Sequence, residues 1–382
     1  MRALAPSSSA GRLLLVLLPL IAVAAQAAEA PGPIPKKKKR GKDDFVLVAG
    51  GDVAYPRGWM DRLVERQGAA MFDLVKPYVK DADLAFVNLE SPYSDAEFKL
   101  RKEWQIATPP PRLDYVIDGG FNLFSLANNH MGDTGEQGIF DTLDLLEAKD
   151  KEKGPLFWAG AARKSKDIYK PLIFQVPGKN LKIVFFAFGY AKSDLVPTPS
   201  AAAFEAVQNA KKKGDIVVVS CHHGTEYKHV PDKSKVELYR RFIDAGADIL
   251  LGHHPHVVQG VEAYKKGIIF HSLGNFSFAS KTKRHHKTGA RLYSILPRIY
   301  VKNGKVAFAE IVPLYVNNGE PLKVDGAILR PTDMKPQVLS GVFAKKVLDE
   351  LQVWTEALPG IAAKGKSAYV IHGDRAIVTV DQ

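Results

Sequence analysis

The sequence predicts an α/β fold in a chain of 382 residues. Short apolar runs alternate with helix-length amphipathic stretches from Phe45 to Ser272. Asp, Glu, Asn or His residues follow several of those runs directly, as they do at the carboxyl ends of strands in a ligand-binding sheet. After Gly289 the texture changes to alternating strands interrupted by one helix. Strand, loop, helix, strand is the order of βαβ units, whose sheets are buried on both faces.

In chain order, the apolar runs place strands at Phe45–Ala49, Leu84–Asn88, Asn122–Leu126, Leu156–Ala159, Leu172–Val176, Ile183–Phe188, Ile216–Ser220, Ile249–Leu251 and Gly267–Ser272. Helices are expected at Trp59–Val79, Gly135–Ala148, Ala201–Lys212 and Ser234–Ala245. In the last of these, Val236, Leu238, Tyr239, Phe242 and Ile243 form an approximate apolar stripe with Lys and Arg between them. The later strands are Tyr293–Tyr300, Val306–Tyr315, Ala327–Leu329, Ala368–His372 and Ala376–Val380, with a helix at roughly Pro336–Leu358. No P-loop and no glycine-rich dinucleotide fingerprint occurs.

Composition sets the frame. Hydrophobic content of 46% and charged content of 25% are those of an ordinary soluble globule. A single cysteine, Cys221, excludes an intrachain disulfide. The formal net charge of +12 is concentrated near the start. There, Arg2 and Arg12 precede the apolar segment Leu13–Ala25, and the triplets Ala25-Gln26-Ala27 and Ala28-Glu29-Ala30 offer small-residue cleavage sites. This is the pattern of a secretory signal peptide over residues 1–27, too short in its apolar core to favour a permanent membrane span. Its removal leaves a net charge of +10. Residues 28–43 read as a basic flexible linker, with Lys36 to Arg40 and Lys42 able to attract an anionic membrane surface or polymer. Export argues against a nucleic-acid partner and for the periplasm or the extracytoplasmic membrane face.

The chemistry lies at the strand ends. Gly252-His253-His254-Pro255-His256 follows Ile249-Leu250-Leu251, and such a density of imidazoles is hard to explain as packing. His222-His223-Gly224 follows another apolar run. Asn128-Asn129-His130 follows a third and offers an amide oxygen and an imidazole. Asp52 sits in Ala49-Gly50-Gly51-Asp52-Val53, where glycines allow close backbone approach. Leu89-Glu90 ends the Leu84 strand with a carboxylate able to bridge two cations. Taken singly, each has a plain structural explanation: a helix cap, a turn or a solvated acid. Together they describe one metal site on a sheet rim.

These motifs, with Ser272-Leu273-Gly274-Asn275-Phe276, resemble the CapA/PgsA capsule-synthesis family of the calcineurin-like metallophosphoesterases. The resemblance covers roughly Asp43 to Phe278. It implies a four-layer α-β-β-α sandwich with C-terminal mixed strands. A domain over 44–320 would be completed or flanked by an α+β extension over 321–382. It also implies two divalent ions, Mn, Fe or Zn, whose N and O donors suit them. By position, Asp52, Glu90, Asn129, His222, His254 and His256 would be metal ligands, and His130 the general acid. Arg57, His223, Glu226, His253 and Asn275 would contact substrate. The chain departs from the superfamily pattern at Ala54, where histidine is usual, at Glu90, where aspartate is usual, and at His223, commonly Trp. The first metal site is therefore expected to be weaker, differently filled or empty.

Three functions compete at this point. One is a metal-dependent hydrolase in which an activated water attacks a phosphoester or related bond and His130 protonates the leaving oxygen. The second is an envelope factor for an anionic polymer such as poly-γ-glutamate, in contact with the membrane surface or a capsule-synthesis complex. The third is a non-enzymatic polymer-binding or export factor with a relict metal site.

Overall fold

The computed structural model describes residues 40–58, 60–98, 104–279, 283–290, 292–316, 319–331, 333–360 and 369–381. The signal-peptide expectation and most of the basic linker fall outside the described residues.

The chain begins with β1 (Phe45–Ala54), α1 (Asp61–Gln67), α2 (Lys76–Lys80), β2 (Leu84–Leu89), α3 (Leu113–Asp118), β3 (Leu123–Ser125), α4 (Gly135–Lys153) and β4 (Phe157–Ala159). Then come β5 (Leu172–Gln175), β6 (Lys182–Gly189), α5 (Ala201–Lys211), β7 (Ile216–His222), α6 (Lys233–Asp244), β8 (Ile249–His253), β9 (Val261–Tyr264) and β10 (Gly267–Phe270). The remainder is β11 (Asn275–Phe278), α7 (Lys283–Thr288), β12 (Tyr293–Lys302), β13 (Lys305–Tyr315), β14 (Leu322–Val324), β15 (Ala327–Leu329), β16 (Gln337–Val338), α8 (Gly341–Glu356), β17 (Tyr369–His372) and β18 (Arg375–Thr379).

Two sheets carry the fold. The first runs β17-β18-β13-β12-β1-β2-β3-β4, with β11 also on β1 and β16 on β13. The second runs β5-β6-β7-β8-β10-β9. Period-two alternation decides what each side of the second sheet meets. Ile183, Phe185, Ile216, Val218, Ile249 and Leu251 join the apolar cluster shared with the first sheet. Their neighbours Val184, Phe186, Val217, Val219 and Leu250 join a separate cluster with Val207, Tyr239 and Phe242 of α5 and α6. Phe86 meets Phe185 edge-on across the sheet interface, with ring centroids 6.0 Å apart. The first sheet carries its own helical cover, where Phe72 stacks on Phe276 at 5.6 Å and Ile139, Leu143 and Leu146 of α4 join the main core. The result is an α/β arrangement of two sheets flanked by helices.

Several elements differ from the sequence reading. The single helix expected over Trp59–Val79 is broken into α1, a 3-10 turn at Gly68–Phe72 and α2. Gly68 caps α1 with a positive φ of 47°, and Pro77 sits in the first turn of α2. β9 and β11 were not expected, because Glu262 and the polar Asn275 and Ser277 interrupt the apolar pattern. Residues 337–338, expected in a helix, pair with β13 before Gly341 starts α8. Ala327–Leu329 is a strand as expected and pairs with β14 in a separate hairpin.

Candidate metal centre

Strand register assembles the site. β1, β2, β3 and β11 run parallel, and their register aligns Asp52 with Asn88, Asp52 with Asn275, and Asn88 with Ser125. In the second sheet, parallel β7 and β8 align His222 with His253. The carboxyl ends of both sheets therefore open onto one rim. β1 continues beyond Ala49 through an irregularity between Ala49 and Asp52, and such a bulge re-aims the side chain that follows it. Gly51 permits this: a Cβ there would lie 1.9 Å from the Gly274 carbonyl oxygen.

The two sheets are joined at the site by Asp52 and His253. His253 Nδ1 lies 2.9 Å from Asp52 Oδ1, and both side chains are fully buried. Asn88 Nδ2 donates to the same oxygen at 2.9 Å and lies 3.2 Å from His222 Nδ1. Burial alone would raise the Asp52 carboxyl. The His253 hydrogen bond and the nearby His222 and His256 imidazoles outweigh it and hold the carboxyl well below the usual carboxylate range.

His222 Nε2 is the meeting point of one donor set. Asn129 Oδ1 lies 2.8 Å from it, His254 Nδ1 3.2 Å and Glu90 Oε1 3.6 Å. A second set surrounds Glu90 and Asp52: His256 Nε2 is 3.8 Å from Glu90 Oε1, and His256 Nδ1 is 3.9 Å from Asp52 Oδ2. Donors about 3–4 Å apart are what a cation with bonds of about 2.0–2.2 Å requires around itself. Asp52, Glu90 and His222 present ligand atoms within 4.8 Å of one another. Among the described residues, Asp52 Oδ2 is buried with no hydrogen-bond partner, a cost a bound cation would remove. The residues present fit a divalent metal.

Electrostatics keep the imidazoles able to bind one. Burial, then the neighbouring His254, pushes His222 well below the ordinary imidazole value. Burial and His256 lower His254 to about 3. Neutral rings keep the lone pairs that metals use. Asn275 Nδ2 donates to the Ala290 carbonyl at 3.1 Å, so its Oδ1 accepts from His256 Nδ1 at 2.9 Å. That bond turns His256 Nε2, with its lone pair, toward Glu90. His254 and His256 both have positive φ, 92° and 60°. Such strain in non-glycine residues persists only where the surroundings over-determine it.

His130 stands beside this cluster. Its Nδ1 is 2.7 Å from Asp133 Oδ2, which also accepts the Ile106 backbone N–H at 2.8 Å. Its ring lines a cleft with Trp104, Tyr227, His256 and Arg284. A carboxylate on one nitrogen fixes the orientation of the ring.

The structure thus brings together Asp52, Glu90, Asn129, His222, His254 and His256, with His130 adjoining. The residues expected to touch substrate lie in several different environments. His253 is wholly buried behind Asp52, because it continues the inward-facing Ile249-Leu251 alternation of β8. Asn275 is also buried and acts on His256. Arg57 is exposed and bonded to Asp95 at 2.5 Å. His223 is half-buried against Tyr190, with ring centroids 5.2 Å apart. Glu226 lines the His130 cleft. Sequence reasoning missed Asn88 and Asp133 as site residues. Asn88 ends the Leu84 strand two residues before Glu90, and Asp133 lies three residues past His130, where a turn can bring a carboxylate back.

The bacterial capsule synthesis protein PGA_cap family matches residues 46–280. The chain belongs to this family. The capsule biosynthesis protein CapA of Bacillus anthracis is 31% identical over 76% of this chain and 72% of its own length. The PGA biosynthesis protein CapA of Bacillus subtilis is 30% identical over 87% of this chain and 89% of its own. A probable polyglutamine synthesis accessory protein of Mycobacterium tuberculosis is 27% identical over 50% of this chain. In this PGA_cap chain the match spans every residue of the candidate centre, from Asp52 to Asn275.

Proposed function

We propose that this protein is a metal-dependent hydrolase of the cell envelope that serves capsule or poly-γ-glutamate synthesis or processing. One observation carries the reading: the six N and O donors converge in a buried cluster with the His130–Asp133 pair beside it. A proton donor next to a cation site is the equipment of ester or amide cleavage.

Glu90, Asn129, His222 and His254 would hold one divalent cation, and Asp52, Glu90 and His256 a second. Bound there, such ions lower the pKa of a water and polarise a phosphoryl or carbonyl oxygen. The chain's own residues do the rest. His253 and Asn88 fix the Asp52 carboxylate, and Asn275 fixes the His256 ring. Asp133 holds His130 so that its other nitrogen can deliver a proton to the leaving group.

Export by the N-terminal segment and action in the periplasm or at the extracytoplasmic membrane face belong to the same proposal, with an anionic polymer or phosphoester as substrate. A second reading is an envelope polymer-binding or export factor with a relict site, favoured by the accessory-protein description of the mycobacterial relative.

Elemental analysis of the mature protein, purified without chelators, combined with a hydrolysis screen on generic phosphoesters and polyglutamate, tests the proposal. Bound Mn, Fe or Zn and turnover abolished in Asp52→Asn are expected. Metal no higher than in a His254→Ala/His256→Ala double variant would sink it. Bound metal with no turnover on any substrate would favour the second reading.

A further inference from the structure

We infer that the cleft between α7 and the loop after β7 is a second subsite, which takes a carboxylate of an acidic chain and uses Arg284 to select it. This rests on the proposed function for the place of the reacting group and adds the chemistry of the unit beside it.

The cleft shares His130 and His256 with the candidate metal centre, so whatever fills it is one unit away from a group bound there. Its walls are the aromatic rings of Trp104, Tyr227 and Phe278. Trp104 is 55% exposed, a large indole held at the surface. Arg284 stands over the Tyr227 ring at 4.8 Å. A guanidinium held on an aromatic face is oriented without being neutralised. Glu226 Oε2 is 3.6 Å from its Nη1, an ion-pair distance longer than a hydrogen bond. The forked donors are therefore not consumed by Glu226.

Arg284 is the permanently charged cation among the residues lining this cleft, so it is the group that would meet an anionic side chain there. Glu226 narrows the choice further. A carboxylate beside the arginine repels a dianionic phosphate more than a monoanionic carboxylate. A chain that repeats carboxylates along its length would seat one on Arg284 while the next linkage reaches the cluster beside His130.

Calorimetric binding of a γ-linked glutamate hexamer and of the neutral γ-linked glutamine hexamer to the mature protein tests this. The wild type is expected to bind the glutamate hexamer more tightly. Arg284→Ala should weaken that binding roughly tenfold, the scale of one charge-assisted contact. It should leave the glutamine hexamer unchanged, and Arg284→Lys should recover part of the loss. No binding of the glutamate hexamer by the wild type, equal affinity in Arg284→Ala, or an equal loss for both hexamers would overturn the subsite. Arg284-dependent binding in a protein that hydrolyses nothing would retain the subsite and sink only the hydrolase reading.

Discussion

His253 Nδ1 and Asp52 Oδ1 lie 2.9 Å apart across the interface of the two sheets, 201 residues apart in the chain. The imidazole orients a carboxylate that would bind metal, and partners of this kind typically account for about 10–100-fold in metal affinity. His253→Phe should keep the ring volume and weaken metal binding by that factor, measured by competition with a chelator. Unchanged affinity would mean that His253 is packing alone.

His130 is bonded to Asp133 at 2.7 Å beside the cluster. His130→Ala should cut turnover by about 10²–10⁴-fold while metal content is retained. Asp133→Asn should act in the same direction through the ring's orientation. Equal loss of metal and turnover in His130→Ala would make His130 a ligand rather than a proton donor.

Gly51 passes the Gly274 backbone so closely that a Cβ would meet its carbonyl oxygen at 1.9 Å, while Asp52 N donates to that oxygen at 3.0 Å. Gly51→Ala must push β1 from the loop before β11. A loss of about 1–3 kcal/mol in urea unfolding is expected, as for overpacking, together with reduced metal content. A variant with wild-type stability would show that the loop yields freely.

Lys235 is buried with its amine 2.9 Å from Gln259 Oε1. Burial pushes this amine down to about 7. The unfolded chain keeps its proton up to the ordinary lysine value, so between the two values the unfolded state binds more protons. Stability should therefore rise with pH above about 7, by at most about 1.4 kcal/mol per pH unit. Lys235→Met removes the group, and the difference between wild type and variant in urea midpoints from pH 7 to 9 isolates its part. A flat difference would show that the lysine is charged in the folded state.

Much of the site was legible because its residues sit where apolar runs stop. Asp52, His222 and His254 could be read as a rim of ligands from the chain alone, since a buried parallel strand is a continuous apolar run and its end is visible. The role of His253 was not legible. Within Gly252-His253-His254-Pro255-His256, strand alternation sends His253 inward, and positive φ turns His254 and His256 to the cluster. A histidine-rich string does not reveal which ring faces which way. Arg57 misled for a similar reason: proximity in sequence to Asp52 did not bring it to the cluster, and it pairs with Asp95 on the surface.

The sequence by itself determined the strand-helix alternation, the family and the donor types, because periodicity and residue chemistry are local properties. Only the tertiary structure decided that Asp52 and His253 meet across two sheets, that Asn88, Asp133 and Asn275 bond to Asp52, His130 and His256, and that Arg284 shares a cleft with His130. Those relationships depend on register and sheet packing between segments as many as 201 residues apart, and no local pattern encodes them.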